Sequence, residues 1–209
     1  MSERTTCHDG RRASVGIVVD GWPDDVRTFI NAVLANTPDE VRVIALDLGN
    51  VDDAGLVVHE IAQAHPNRVE AFHLSGTVGW AQARIALLRL DPAPIHVVAD
   101  ISSILDADDI TPLLDALDAD PTVVAAGWKG ALVDIDDQWR SVTDAGPGEV
   151  DVLLSYLFAI RRDAALHTPP HPKARFYRNA DLEWSLALRE AGGRLVVPSA
   201  DLPVHQERH

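Results

Sequence analysis

The apolar run at residues 95–99 stops at Asp100, and Ser102 follows two positions later, in IHVVADISSILDADD (95–109). A carboxylate at the tip of a buried strand is either part of a solvated turn or a holder of a cation or phosphate. Asp20 and Asp47 end two earlier apolar runs in the same way. Asp181 and Glu183 open the segment ADLEWSLALREAGG (180–193). Acids in a first helical turn complement the helix dipole. Asp181 also stands where an N-cap would, and a helix N-terminus would lower its pKa. That suits a carboxylate that must be ionised to take a proton. Arg161, Arg162, Lys173, Arg175 and Arg178 cluster ahead of it, and guanidinium forks match phosphate oxygens. The tail DLPVHQERH offers His205 and His209, while the single cysteine, Cys7, has no base near it in sequence and reads as inert.

These residues need elements to hold them. SVGIVV (14–19), VRVIALDLGN (41–50), VEAFHLSG (69–76), IHVVAD (95–100) and TVVAAGW (122–128) read as strands. Between them, helical spacing of apolar positions predicts helices over 23–38, 54–65, 79–90 and 113–120. Continuously apolar strands alternating with helices predict an α/β fold, with a mostly parallel sheet covered on both faces. In such sheets ligands bind beyond the carboxyl ends of the strands, where Asp20, Asp47 and Asp100 fall. Further on, a strand over 156–161, a short helix, a stiff proline loop (168–172), the helix 180–193 and a strand over 194–198 complete the pattern. The expected organisation is a disordered tail at 1–12 and one domain at 13–209. Its first half, 13–130, would bind nucleotide, and its second, 131–209, would carry acceptor and base.

A chain of 209 residues with 46% apolar and 24% charged residues has ordinary globular composition. Its net charge of −14 opposes binding to nucleic acid or to an anionic membrane surface. No apolar run approaches the ~18 residues of a bilayer span, and the polar N-terminus has no secretion-signal core. A cytoplasmic protein is the expectation. The oligomeric state is left open, with a homodimer as one option.

The order of these pieces resembles the family 2 glycosyltransferases, which carry the GT-A, Rossmann-like nucleotide-sugar fold. SVGIVVDGWPDDVRTFINAVLANTP and VRVIALDLGNVDD are similar to the family's opening, where an aspartate ending the second strand reads the base; Asp47 holds that place. Gly79, Ala81, Ala83 and Arg84 match the G-x-A-x-A-R segment. Asp100-Ile-Ser102 stands where the family has Asp-x-Asp, and Asp181 and Glu183 fall on the base and second acid of the late E-D-x-D-L-S segment. The resemblance covers nearly the whole chain from Ser14 to Pro198.

The resemblance implies an inverting transfer from a nucleotide-diphosphate sugar to an acceptor hydroxyl. Asp20, Asp47, Arg84, Asp100 and Ser102 would bind the nucleotide sugar. Asp100, Ser102 and a histidine after the last strand, here His205, would hold Mg2+ or Mn2+. Serine is a poor ligand for these hard ions, so the ion is expected to bind weakly without nucleotide. The substitution also keeps an alternative open: a weak or inactive GT-A-like domain that binds nucleotide or a protein partner. A nucleotidyltransferase would open on a glycine-rich basic loop, whereas VVDGWPDD is acidic. A receiver-type domain could use Asp47 and Lys129, but it leaves 180–193 without a role. Trp22 and Trp184 are candidates for stacking on base or sugar, with core packing as the alternative.

Overall fold

The computed structural model describes residues 10–75, 78–134, 136–137, 141–174, 177–198 and 202–206. In chain order the elements are β1 (Ala13–Val19), α1 (Pro23–Asn36), β2 (Val41–Asp47), α2 (Ala54–Ala64), β3 (Val69–His73), α3 (Trp80–Leu90), β4 (Ile95–Ala99), β5 (Ser103–Leu105), α4 (Thr111–Ala119) and β6 (Val123–Gly127). There follow β7 (Gly130–Val133), β8 (Val142–Ala145), β9 (Gly148–Val150), β10 (Val152–Leu153), β11 (Leu157–Arg161), α5 (Arg162–His167), α6 (Tyr177–Glu190), β12 (Arg194–Val197) and β13 (Val204–Gln206).

An eight-stranded sheet runs β3-β2-β1-β4-β11-β6-β12-β9. β1 pairs in parallel with both β2 and β4, and β2 with β3. β11 is antiparallel to β4 and β6, β12 is parallel to β6, and β9 is antiparallel to β12. The α/β, mostly parallel architecture therefore stands as the apolar runs implied. Two small sheets, β10-β7-β8 and β13-β5, lie outside the expectation. Their strands are two to four residues long, too short to show a pattern. The insertion of β11 between β4 and β6 depends on long-range pairing that no local signal reveals.

Helices cover both faces. Val26, Phe29, Ile30 and Val33 of α1, Val58 of α2 and Leu113, Leu114 and Leu117 of α4 join the inward residues of β1, β2 and β4 in one core. On the other face, Ala83 and Leu87 of α3 meet Ile44 and Leu46, and Trp184 and Leu188 of α6 meet Phe158, Ile160 and Leu195. α1 starts as its sequence predicts, with Pro23 in the first turn followed by Asp24 and Asp25. Each of its four large buried side chains contributes about 1.5–3 kcal/mol of transfer free energy.

Two expectations are corrected. Arg11 and Arg12 do not belong to a disordered tail: Arg11 is buried against Glu70 at 2.6 Å, and Arg12 pairs with Asp115 and Asp118 at 2.6 and 2.8 Å. Both guanidiniums anchor the start of β1. The last long helix begins at Tyr177, not at residue 180, which changes the place of Asp181 within it. Cys7 lies outside the described residues.

Beneath β1, His96 donates or accepts at Nδ1 with Asp91 at 2.6 Å, and both side chains are fully buried. A Cβ on Gly16 would come within 2.3 Å of that imidazole ring. The glycine in SVGIVV is therefore required by a neighbour from β4 and not by a turn.

Candidate functional site

β1 has β2 on one side and β4 on the other, so successive crossovers leave it in opposite directions. This is a topological switch point, where strands part at their carboxyl ends and leave a crevice. The β1–β4 register ends at Gly16 and Val98. Arg84 fills the gap from α3: its Nη1 donates to the Gly16 carbonyl at 2.8 Å and its Nη2 to the Ala99 carbonyl at 3.0 Å. Its guanidinium lies 5.8 Å from the Trp80 ring centroid. Arg84 is thus buried beneath the crevice floor and holds the two strands that end at Asp20 and Asp100.

Asp100 directly follows β4 and is half-buried. Its Oδ1 accepts from the Ser102 N–H at 2.9 Å and from the Ser102 hydroxyl at 2.8 Å. Where the resemblance expects a second carboxylate, a hydroxyl therefore closes a tight turn on the first. β13 pairs with β5 beside this turn, and Gln206 Nε2 donates to Ser102 Oγ at 3.1 Å. His205 reaches Asp106, with Nδ1 to Oδ2 at 2.8 Å. Gln206, which sequence reasoning passed over, is thus a tail residue at the motif, while the imidazole of His205 is engaged by Asp106.

Asp181 lies in the second turn of α6 and is 6% exposed. It is not an N-cap, and the expected lowering of its pKa is reversed. Burial raises it, against the opposing hydrogen bonds from Ser155. The Ser155 N–H donates to its Oδ2 at 3.1 Å. The next residue, Tyr156, accepts at its carbonyl from the Asp100 N–H at 3.0 Å and from the Ser103 hydroxyl at 3.0 Å. Two consecutive residues ahead of β11 thus tie both acids, 81 positions apart in sequence, to one rim of the sheet. Ser155 and Tyr156 were missed because the antiparallel placement of β11 is what brings them there.

Other candidates do not converge on that rim. Glu183 is exposed, and two positions along a helix put it on a different face from Asp181. Arg161 and Arg162 lie at the opposite end of β11. Arg161 donates to the Val123 and Leu117 carbonyls, and Arg162 to the Leu88 carbonyl. Trp184 is 2% exposed, donates to the Thr168 carbonyl at 2.7 Å and meets Trp80 and Phe158 edge to face, so it packs. Lys173 is exposed in the loop whose Ala174 carbonyl accepts from the Ala81 N–H at the start of α3. Arg175, His209 and the side chain of Arg178 lie outside the described residues.

Asp20 is exposed just beyond β1. Trp22, two residues on, is 59% exposed with a left-handed φ of 61°. Asn50, Asp52 and Asp53 are also left-handed, so among the described residues the non-glycine left-handed ones all sit in the two loops that follow β1 and β2. Asp47 ends β2 but is only 1% exposed. Its Oδ1 accepts from the Asn50 N–H at 2.8 Å, and its Oδ2 faces His73 Nδ1 at 2.7 Å. A Cβ on Gly55 would stand 2.4 Å from that carboxylate, so α2 can approach only with glycine there. The exposed member of the pair is His73, whose side chain is 49% exposed.

For a divalent ion the turn at 100–102 offers, among the described residues, one carboxylate, Asp100, beside the Ser102 hydroxyl and the Gln206 amide. Among the described residues no cluster of three or more His, Cys, Asp or Glu side chains could hold a metal. This donor set fits an ion completed by phosphate oxygens and water, which Mg2+ in particular accepts. Among the described residues no helix is long and apolar enough to cross a membrane.

The model of a family described as Glycosyl transferase family 2 matches residues 14–182. A search of curated proteins finds no match. Among solved structures, the mannosyltransferase PcManGT from Pyrobaculum calidifontis, in complex with GDP-Man and Mn2+, is similar with a TM-score of 0.68 at 18% identity, over 92% of this chain and 56% of that one. GalNAc-T7 with UDP, GalNAc and Mn2+ is similar with a TM-score of 0.74 at 16% identity, over 90% of this chain and 42% of that one. The chain thus spans about half the length of these structures, and the likeness is one of fold, the GT-A fold.

Proposed function

Because the chain belongs to glycosyl transferase family 2, we propose that it moves a sugar from a nucleotide-diphosphate donor to an acceptor hydroxyl with inversion. The observation that carries this reading is the tie between Asp100 and Asp181 through Ser155 and Tyr156. It supports one acid at the leaving group and one at the attacking group within a shared crevice. Both similar structures were solved with nucleotide and Mn2+, which supports a nucleotide sugar as donor and a divalent ion as cofactor.

The donor would lie across the tips of β1 and β4, with Asp20, Trp22 and the Asp47–His73 pair on its nucleoside side. Arg84 keeps β1 and β4 at the spacing of the crevice. Asp100, turned by Ser102, would hold Mg2+ or Mn2+ together with the diphosphate, and the ion would neutralise charge gathering on the leaving group. Asp181 takes the proton from the acceptor hydroxyl as its oxygen bonds to the anomeric carbon and the bond to the diphosphate breaks. A pKa raised by burial makes Asp181 a stronger proton acceptor than an exposed aspartate, nearer to the working pH. Such help is worth about 100- to 10,000-fold in rate.

The lone carboxylate of the Asp-Ile-Ser turn favours a second reading, a domain that binds nucleotide without turnover. A thermal-shift panel of UDP, GDP and their sugars, with and without Mn2+, tests binding. Metal-dependent stabilisation is expected, and no response to any of them sinks the donor assignment. Asp181→Asn tests catalysis: transfer is expected to fall by about 100-fold or more with the nucleotide-induced shift retained. Transfer at the parent rate would remove Asp181 from the mechanism.

A further inference from the structure

We propose that Trp128, Lys129 and Tyr156 form a subsite for an anionic sugar, so that the acceptor of the transfer is a pyranose bearing a carboxylate or phosphate. The inference rests on the transferase reading for the word acceptor, while the subsite itself rests on three side chains. Trp128 and Lys129 extend beyond β6, and Tyr156 precedes β11. The Trp128 N–H donates to the Leu157 carbonyl at 2.9 Å, and the Leu154 N–H to the Lys129 carbonyl at 3.0 Å. Those bonds stitch the tip of β6 to Leu154 and Leu157, which flank the Ser155–Tyr156 pair that meets both Asp181 and Asp100.

The two rings meet edge to face, with centroids 6.3 Å apart and planes at 70°. Both are half-buried, and Lys129 is exposed. Its Nζ sits 4.3 Å from the Trp128 centroid and 5.7 Å from that of Tyr156. Cation–π attraction of about 0.5–1 kcal/mol at an exposed site restrains the ammonium without neutralising it. Lys129 makes no ion pair with any described residue. In a chain with 32 acidic and 18 basic residues, Arg12, Arg68 and Arg194 pair with carboxylates and Arg84, Arg161 and Arg162 with carbonyls, whereas the Lys129 ammonium, exposed like Arg89 and Lys173, lies against two rings. An exposed ammonium held on an aromatic platform, with no carboxylate of the described residues paired to it, is a receptor for an anion.

Its place selects which anion. β6 lies two strands beyond β4 in the order β1-β4-β11-β6, roughly 10 Å along the rim at about 4.8 Å per strand. A donor seated between β1 and β4 leaves the β11–β6 tips to the second substrate. Aromatic rings offer apolar faces and edges to the C–H face of a sugar ring, with polar tips for its hydroxyls. Lys129 then meets a carboxylate or phosphate on that ring.

The chain has five tryptophans, so the Trp128 indole N–H signal can be assigned by NMR with Trp128→Phe and followed during titrations with glucuronate, glucose 6-phosphate and glucose. The expected result is movement of that signal by both anionic sugars at concentrations about tenfold or more below glucose, a preference erased in Lys129→Gln and weakened by salt. Calorimetric binding of UDP and GDP with Mn2+ should be unchanged in Lys129→Gln, an exposed position where the fold tolerates the change. The proposal is overturned by equal response to glucose, by no response to any of the three, or by loss of UDP or GDP affinity in the variant, which would put Lys129 on the donor diphosphate. If the parent protein binds neither UDP nor GDP, the transferase reading falls, and the Trp128 titration still decides the subsite.

Discussion

Asp109 shows how burial, more than any neighbour, sets a side chain's chemistry. It has no exposed surface, and neither carboxylate oxygen has a partner. Desolvation, with Asp106 and Asp108 nearby, pushes its pKa up to about 6. Below pH 3.8 the group is protonated both folded and unfolded. Between there and pH 6 the folded chain keeps the proton that the unfolded chain would release. Stability from this site is therefore lost as pH rises through about 6, and the full difference, about 3 kcal/mol at 1.4 kcal/mol per pH unit, is missing above it. Asp109→Asn should match the parent in denaturant midpoint near pH 4 and exceed it at pH 8. An equal difference at both pH values would mean that Asp109 does not change charge in the fold. The same physics acts on Asp181, where the sign matters for turnover. Its raised pKa predicts a rate that climbs with pH through a point above the ordinary aspartate value, and Asp181→Asn should remove that limb.

At the scale of elements, α6 matters most because it carries Asp181. Asp181, Trp184, Ser185 and Leu188 share its buried face, the i, i+3, i+4, i+7 spacing of a core stripe. Leu182 and Leu186 cover Ala131, Val133 and Val152 of β7 and β10. Ser185 Oγ accepts from the Leu153 N–H at 3.1 Å, so the helix is keyed to β10 as well as to Ser155. Trp184 joins α6 to α3 and β11 through Trp80 and Phe158, at centroid distances of 6.3 and 5.7 Å. Trp184→Ala should cost about 3–5 kcal/mol by equilibrium denaturation. Turnover should fall in the folded variant because Asp181 loses its register against Ser155, and Trp184→Phe should recover part of both. A Trp184→Ala protein of parent stability would contradict the packing role.

At the scale of the whole molecule, the two halves of the chain, 13–130 and 131–209, share one sheet. β11, from the second half, sits between β4 and β6 of the first, and β12 and β9 extend the same sheet beyond β6. The halves also share a core, since Phe158, Trp184 and Leu195 pack with Val98 and Ala125. Urea unfolding followed by far-ultraviolet circular dichroism and by tryptophan fluorescence should therefore give coincident single transitions. Two separated transitions would show that the halves fold independently.

The α/β class, the strand tips at Asp20, Asp47 and Asp100, and the late helix with Asp181 were all legible in the chain. Apolar runs and helical spacing are local patterns written into consecutive residues. Their outcome at each tip was not legible. Asp47 turned inward against Gly55 and His73, Arg84 went to backbone carbonyls, and Glu183 faced away from Asp181. Gln206 rather than His205 reached Ser102. The direction of a pKa shift, too, was decided by burial within the tertiary structure and not by place along a helix. Such outcomes depend on which distant groups meet, and the decisive meeting here is the antiparallel insertion of β11, which brings Ser155 and Tyr156 between two acids that neighbouring sequence never connects.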